Sequence, residues 1–282
     1  MLISRTLLLA IALTTWAGPI SAADLTQIDR TIAKEPAYQG KPKYCLLVFG
    51  PEAKFRVWVV RDGNVTYVDR SGNGDLTEAR NKIERTKGFV VKEITDPNDR
   101  TTYKNLSIVE RGNGFSVSVD CGNKSFQSFS LEGGKRPQFA DRSADAPILA
   151  INGPLTVGVL EFNQRQDIAG YSIYVTVHIG TQGLGDGTFL SLNRKAIPAK
   201  TFPTAQIEVP DPDPTKPALV SRLVLDETDG DGCPYCFSKQ LRLAKMAEQG
   251  KIKVTLSFAD WKEGKVVPAT REFPIALPKR KQ

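Results

Sequence analysis

Apolar residues in this chain recur at every second position. In 251–258, Ile252, Val254, Leu256 and Phe258 share one side, while Lys251, Lys253, Thr255 and Ser257 share the other. The stretches 55–60 and 171–179 alternate in the same way. A helix cannot hold alternate residues on one face, whereas a pleated strand must, so the pattern dictates half-buried antiparallel strands. Turn residues fall between the runs: Asp62-Gly63, Gly112-Asn113-Gly114 and Gly122-Asn123 supply the positive φ angles of tight hairpin loops. The expected fold is all-β, built from antiparallel β-sandwich-type domains. Two segments depart from the pattern. Residues 25–34 are short and polar and read as a frayed turn. Residues 234–249 read as a helix, because Phe237, Leu241 and Ala244 share a helical face, Pro234 stands near its first position and Gly250 closes it. The C-terminal half is therefore expected to be an immunoglobulin-like sandwich with this short helix inserted.

At 282 residues, with 40% hydrophobic and 24% charged side chains, the chain has room for about one or two cored domains. Residues 1–23 read as a signal peptide: Arg5 forms a basic start, 7–17 an apolar stretch, and Ile20-Ser21-Ala22-Ala23 a small-residue cleavage site. No later run approaches the length of a membrane helix, so no transmembrane segment is expected. Residues 40–132 read as an N-terminal antiparallel β domain, 133–147 as a linker carrying Gly-Gly and two prolines, and 148–282 as a C-terminal β-sandwich-like domain. The expected location is periplasmic or extracellular.

The chain has four cysteines, and in an oxidising compartment an even count reads first as two disulfides. Cys45 shares a strand face with Leu47 and Phe49, and Cys121 with Phe115, Val117 and Val119. Both point into a core, so a Cys45–Cys121 bridge is expected, worth about 4 kcal/mol for so long a loop; two buried free thiols are the alternative. Cys233-Pro234-Tyr235-Cys236 resembles the active-site tetrapeptide of glutaredoxins. That resemblance implies a thiolate at Cys233 and a resolving thiol at Cys236. However, the chain after Cys236 is too short for the βαβ unit such a fold needs, and four acidic residues just upstream disfavour a thiolate. A local structural disulfide is the expected use of this pair.

The most informative decapeptide is 69–78. Asp69, Ser71 and Asn73 occupy positions 1, 3 and 5 of an EF-hand-type loop, Gly74 its sharp turn and Leu76 its apolar position. Alternate residues of such a loop aim oxygens at one centre, as calcium requires. Asp75 would add its backbone carbonyl and Thr77 a water-mediated ligand. Position 12 is Arg80 in place of the bidentate Glu, and Glu78, two residues early, replaces it only if the loop closes differently. The expected site is therefore weak, roughly 0.1–1 mM. The alternative is a β-turn whose carboxylates cap backbone amides. A second acidic run, 226–232, breaks the spacing and reads as a solvated turn.

The single histidine, His178, is expected to be exposed or between sheets. No nucleophile elbow, phosphate loop or dinucleotide fingerprint is present, and 183–187 reads as a Gly-rich turn. A net charge of +7 without interleaved exposed aromatics does not point to nucleic acid. Two stretches, 67–77 (Tyr-Val-Asp-Arg-Ser-Gly-Asn-Gly-Asp-Leu-Thr) and 253–264 (Lys-Val-Thr-Leu-Ser-Phe-Ala-Asp-Trp-Lys-Glu-Gly), together with 44–50 (Tyr-Cys-Leu-Leu-Val-Phe-Gly), resemble segments of exported proteins common in planctomycete bacteria. The resemblance implies export and carries no established activity. The resulting expectation is an exported, non-enzymatic binding or structural module with a protein or glycan partner, steadied by Ca2+ at 69–78. The alternatives are a thiol-disulfide redox protein using Cys233 and Cys236, and a carbohydrate-active enzyme with a carboxylate pair not visible in sequence.

Overall fold

The computed structural model describes residues 23–84, 88–112, 114–129, 136–167, 169–185, 188–193, 196–197, 201–227, 236–258 and 266–276. In chain order the strands are β1 (Lys43–Phe49), β2 (Phe55–Asp62), β3 (Val65–Val68), β4 (Lys82–Glu84), β5 (Phe89–Thr95) and β6 (Thr102–Arg111). Next come β7 (Gly114–Cys121), β8 (Lys124–Phe129), β9 (Ile148–Ile151), β10 (Leu155–Asp167), β11 (Gly170–Gln182) and β12 (Phe189–Leu192). The last are β13 (Thr204–Val209), β14 (Leu219–Val224), β15 (Asp226–Glu227), β16 (Phe237–Leu243), β17 (Lys251–Ser257), β18 (Val266–Val267) and β19 (Ala269–Pro274). The fold is all-β, as the alternation requires, and the three anticipated turns close hairpins β2–β3, β6–β7 and β7–β8.

The strands form three sheets. One runs β4-β3-β2-β1-β9, antiparallel except for the β1–β9 ladder. The largest runs β15-β16-β11-β12-β8-β7-β6-β5, with β10 added beside β11 and β18 beside β10. The third runs β14-β13-β17-β19. Ladders cross the 133–147 stretch: β9 pairs with β1, and β12 with β8. Strands after residue 148 are distributed over all three sheets.

The expected helix over 234–249 is corrected in its central part. Residues 237–243 form β16, paired with β11 from Val177↔Phe237 to Tyr171↔Leu243. Phe237 and Leu241, four residues apart, satisfy a period of two as well as a helical turn. A free strand edge on β11 selects the extended form, because its unpaired amides and carbonyls gain partners there.

Inward-facing residues of all three sheets merge into one core. It includes Cys45, Leu47 and Phe49 of β1, Ile173, Val175, Val177 and Ile179 of β11, Ala205, Ile207 and Val209 of β13, and Ile252, Val254 and Leu256 of β17. A second cluster lies on the opposite face of the five-stranded sheet, around Leu46, Val48, Trp58, Val60, Tyr67 and Leu76. Strand β1 is thus buried on both sides, as its continuous Cys-Leu-Leu-Val-Phe run demands. This outer face is covered by an irregular strap, residues 23–40, which packs Leu25, Ile28, Ile32 and Tyr38 against it.

Candidate functional site

The 69–78 loop leaves β3 at the rim of the five-stranded sheet. Asp69 is 1% exposed, held where its amide donates to Trp58 O at 2.9 Å. Its carboxylate accepts from the amides of Gly74 (2.8 Å) and Asn73 (3.3 Å) and from Ser71 Oγ (3.3 Å). Burial pushes the Asp69 carboxyl above its ordinary range, and these donors partly oppose the shift. Gly74 has φ +74 and a Cβ there would stand 3.0 Å from the Ala33 amide, so the chain turns sharply against the strap only with glycine. Leu76 then drops into the second cluster, fully buried.

The loop closes through Glu78. Its Oε1 accepts from Asn73 Nδ2 at 2.9 Å and from Ser71 Oγ at 3.4 Å, while Oε2 accepts from Arg80 Nε at 2.7 Å. The Asn73 amide, then the Arg80 guanidinium, hold this carboxyl below its usual range. Four anticipated ligands, Asp69, Ser71, Asn73 and Glu78, are thereby brought together. Asp75 and Thr77 are not. The Asp75 carboxylate turns away to Lys34 Nζ (2.8 Å) and to the Thr77 hydroxyl and amide, and Lys34 leads in holding its pKa down at about 2. The Asp75 carbonyl, expected to face the metal, accepts from Asn81 Nδ2 at 2.8 Å. Asn81 is fully buried and also accepts from the Arg70 amide, so it locks both ends of the loop. Nothing in the sequence marks it, since a lone Asn beyond the loop carries no spacing signal.

The donor set tests the fit to calcium. Two carboxylates and one hydroxyl converge as hard oxygen ligands, while Asn73 turns its Nδ2 toward Glu78 and its Oδ1 accepts from the Asp75 amide at 2.8 Å, so the oxygens are fewer than calcium's six to eight. Among the described residues no three His, Cys, Asp or Glu side chains cluster as a metal site. Water would have to complete the shell. The loop also anchors the strap: the amides of Ala33 and Lys34 donate to Gly74 O, and the Leu76 amide donates to Lys34 O. Further along, Arg56 holds Asp29, Trp58 Nε1 donates to Thr31 O, and Asp62 accepts from the amides of Gln39 and Gly40.

The cysteines divide differently from expectation. Cys45 and Cys121 are free thiols, which corrects the expected bridge between them. Cys121 pairs in register with Tyr103, and the Tyr103 ring lies 4.5 Å from that of Phe49. Cys45 is four residues back along β1, about 13 Å at strand rise, whereas a disulfide needs Cα atoms within about 7 Å. Sharing a core face does not bring two residues to the same point on it. Burial raises both thiol pKa values, so neither is primed as a nucleophile. Cys233 lies outside the described residues, as do 228–232 of the second acidic run; Asp226 of that run pairs with Lys239.

Cys236 is buried, with Sγ 3.0 Å from His178 Nε2, and His178 Nδ1 lies 2.7 Å from Ser191 Oγ. His178 is wholly buried, and burial lowers its pKa to about 4. Its strand alternation places it opposite the valine row, where Ser191 of β12 and Cys236, just before β16, engage its two ring nitrogens. Comparison of the chain with protein-family models, with curated proteins and with solved structures found no match.

Proposed function

We propose that this protein is an exported, non-enzymatic binding or structural module whose 69–78 loop takes calcium and thereby fixes the N-terminal strap on the five-stranded sheet. The observation that carries the reading is the return of Glu78 to Ser71 and Asn73. It supplies the closing carboxylate that the spacing lacked at position 80. The buried Asp69 carboxylate adds to it, since a cation would offset the desolvation that now penalises its charge. Export to the periplasm or beyond rests on the leader pattern and on the resemblance to planctomycete exported proteins. The partner is a protein or glycan. An immunoglobulin-like arrangement of the C-terminal half would rest on the four-stranded sheet packed beside β10, where Phe162 stacks on Phe273.

The rival reading is thiol-disulfide exchange through Cys233 and Cys236. The neighbour of Cys236 argues for a structural pair instead: a histidine held down to about 4 is neutral at pH 7, so no imidazolium stands there to stabilise a thiolate. Calcium titration calorimetry on the exported chain tests the leading reading. Binding near 0.1–1 mM is expected, lost in Glu78→Gln and kept in Asp75→Ala. No heat and no thermal shift at several times the roughly 1 mM limit overturns it.

A further inference from the structure

Away from the loop, a cavity of ≈ 280 Å3 opens where the three sheets and the start of the strap meet. Its size falls at about the lower end of small-molecule sites, roughly 300–1,000 Å3. Nine of its thirteen lining residues are Ala, Gly, Pro or Leu, drawn from the strap, the β1–β2 turn, β9, the β9–β10 turn and the start of β19. The other four side chains decide what fits. Arg271 and Thr156 already have partners of their own, so the cavity offers a ligand no unmet charge. Thr270 Oγ1 pairs with Thr255 Oγ1 at 3.1 Å and keeps capacity for a further hydrogen bond. The Gln182 carboxamide stands exposed at the mouth and makes no hydrogen bond among the described residues. We infer that this cavity binds a small uncharged carboxamide with a compact hydrocarbon body, its amide paired with that of Gln182.

The chemistry follows from the lining. A carboxamide carries N–H donors beside a carbonyl acceptor, and a second carboxamide is its complement. An ionised ligand would shed water for a site without an unmet counter-charge, which costs more than apolar contact returns. A bare hydrocarbon would leave the Gln182 amide facing it without a partner. A sugar carries more hydroxyls than Gln182 and Thr270 can satisfy. The wall is also set before a ligand arrives. Alanine and proline side chains have almost no rotamer freedom to lose on contact. Ala53 lines the cavity with φ +50, an angle an alanine holds only where its surroundings impose it, which fixes the β1–β2 turn. No lining residue belongs to 69–78, so the inference rests on the binding-module reading, gives it a ligand class, and does not depend on calcium.

Titration calorimetry with phenylacetamide and phenylacetate on the exported chain, with a chelator present, tests this. Phenylacetamide should bind at about 1 mM or tighter, and the acid about tenfold more weakly or worse. Gln182→Leu, at the exposed mouth, should weaken the amide by about two- to twelvefold while melting as wild type does. Ala269→Leu, which fills the cavity from a half-buried position, should weaken it further. Acid bound as tightly as amide, undiminished amide binding in Gln182→Leu, or no heat from phenylacetamide overturns the inference. Set beside the calcium titration, calcium heat without phenylacetamide heat overturns this inference and leaves the calcium reading standing. Phenylacetamide heat without calcium heat refutes the calcium reading alone.

Discussion

Gly72 sits in the 69–78 loop with φ +66, and a Cβ built there would stand 2.4 and 2.7 Å from two ring atoms of Phe55 and 3.0 Å from Arg56 O. Phe55 is 1% exposed and packs on Phe49 at 5.2 Å between ring centroids, so its ring has nowhere to move without disturbing the main core. Gly72→Ala therefore carries two penalties. A left-handed φ costs an L-residue about 1–2 kcal/mol, and forcing volume into a packed core costs about 1–3 kcal/mol. The stiffer unfolded chain returns about 0.4–1 kcal/mol. Gly63→Ala is a matched control: it has φ +57 in the β2–β3 turn but no atom within 4 Å of the added Cβ. It carries the dihedral penalty alone. The difference between the two variants isolates the clash, about 1–3 kcal/mol, or about 2–12 °C in melting temperature for a chain of this size. Differential scanning calorimetry of both proteins measures it. Equal melting temperatures would refute the account of loop and core as one packed unit.

Calcium should raise stability by RT ln(1 + [L]/Kd), about 1.4 kcal/mol at 10 mM with a Kd of about 1 mM. Its pH dependence follows from Asp69, whose pKa is raised by burial. Without metal, a raised carboxyl favours the folded state most below the usual 3.8 and loses that contribution as pH rises through the folded value. Calcium needs the ionised form, so the calcium-dependent gain in melting temperature should fade on acidification while the pH is still above 3.8; a gain constant down to that pH contradicts the burial argument. The strap responds in the opposite sense. Asp75, lowered to about 2 chiefly by Lys34, and Asp29, lowered chiefly by Arg56, stabilise it above the usual carboxylate range and lose that contribution as pH falls through their folded values. Hydrogen-exchange protection at 24–36, taken relative to the intrinsic rate at each pH, should fall toward pH 2, and unchanged protection there would count against these pairs. Finally, a maleimide mass shift without reductant should show Cys45 protected in the native protein and two thiols labelled after unfolding. Four labelled thiols would show Cys233 and Cys236 to be reduced.

Strand content and hairpin positions were legible because both are local. A residue's side of a pleat depends only on its parity, and positive φ only on the residue filling the turn. The convergence of Asp69, Ser71 and Asn73 was legible for the same reason, since it lies within five residues. The closing group was not: Glu78 reaches back to Ser71 because buried Asn81 and the strap fix the loop's exit, contacts made across sequence. The strap itself shows no periodicity, yet it covers a sheet face that would otherwise expose Trp58 and Leu46.

Where two periods coincide, local sequence cannot choose between them. Phe237 and Leu241 are four apart, a multiple of two and also about one helical turn, and the edge of β11 selects the strand. Face-sharing placed Cys45 and Cys121 in one core correctly, but position along a strand is set by register, and register puts Cys121 beside Tyr103 and Phe49. The amino-acid sequence by itself determined the pleated, all-β character of this chain and the chemistry of its tightest loop. The tertiary structure alone decided what meets across sheets: the His178–Cys236 contact, the strap on the 69–78 loop, and the cavity lined by β9, β10 and β19. Each joins residues far apart in the chain, so their contacts follow from strand pairing and packing that no local pattern encodes.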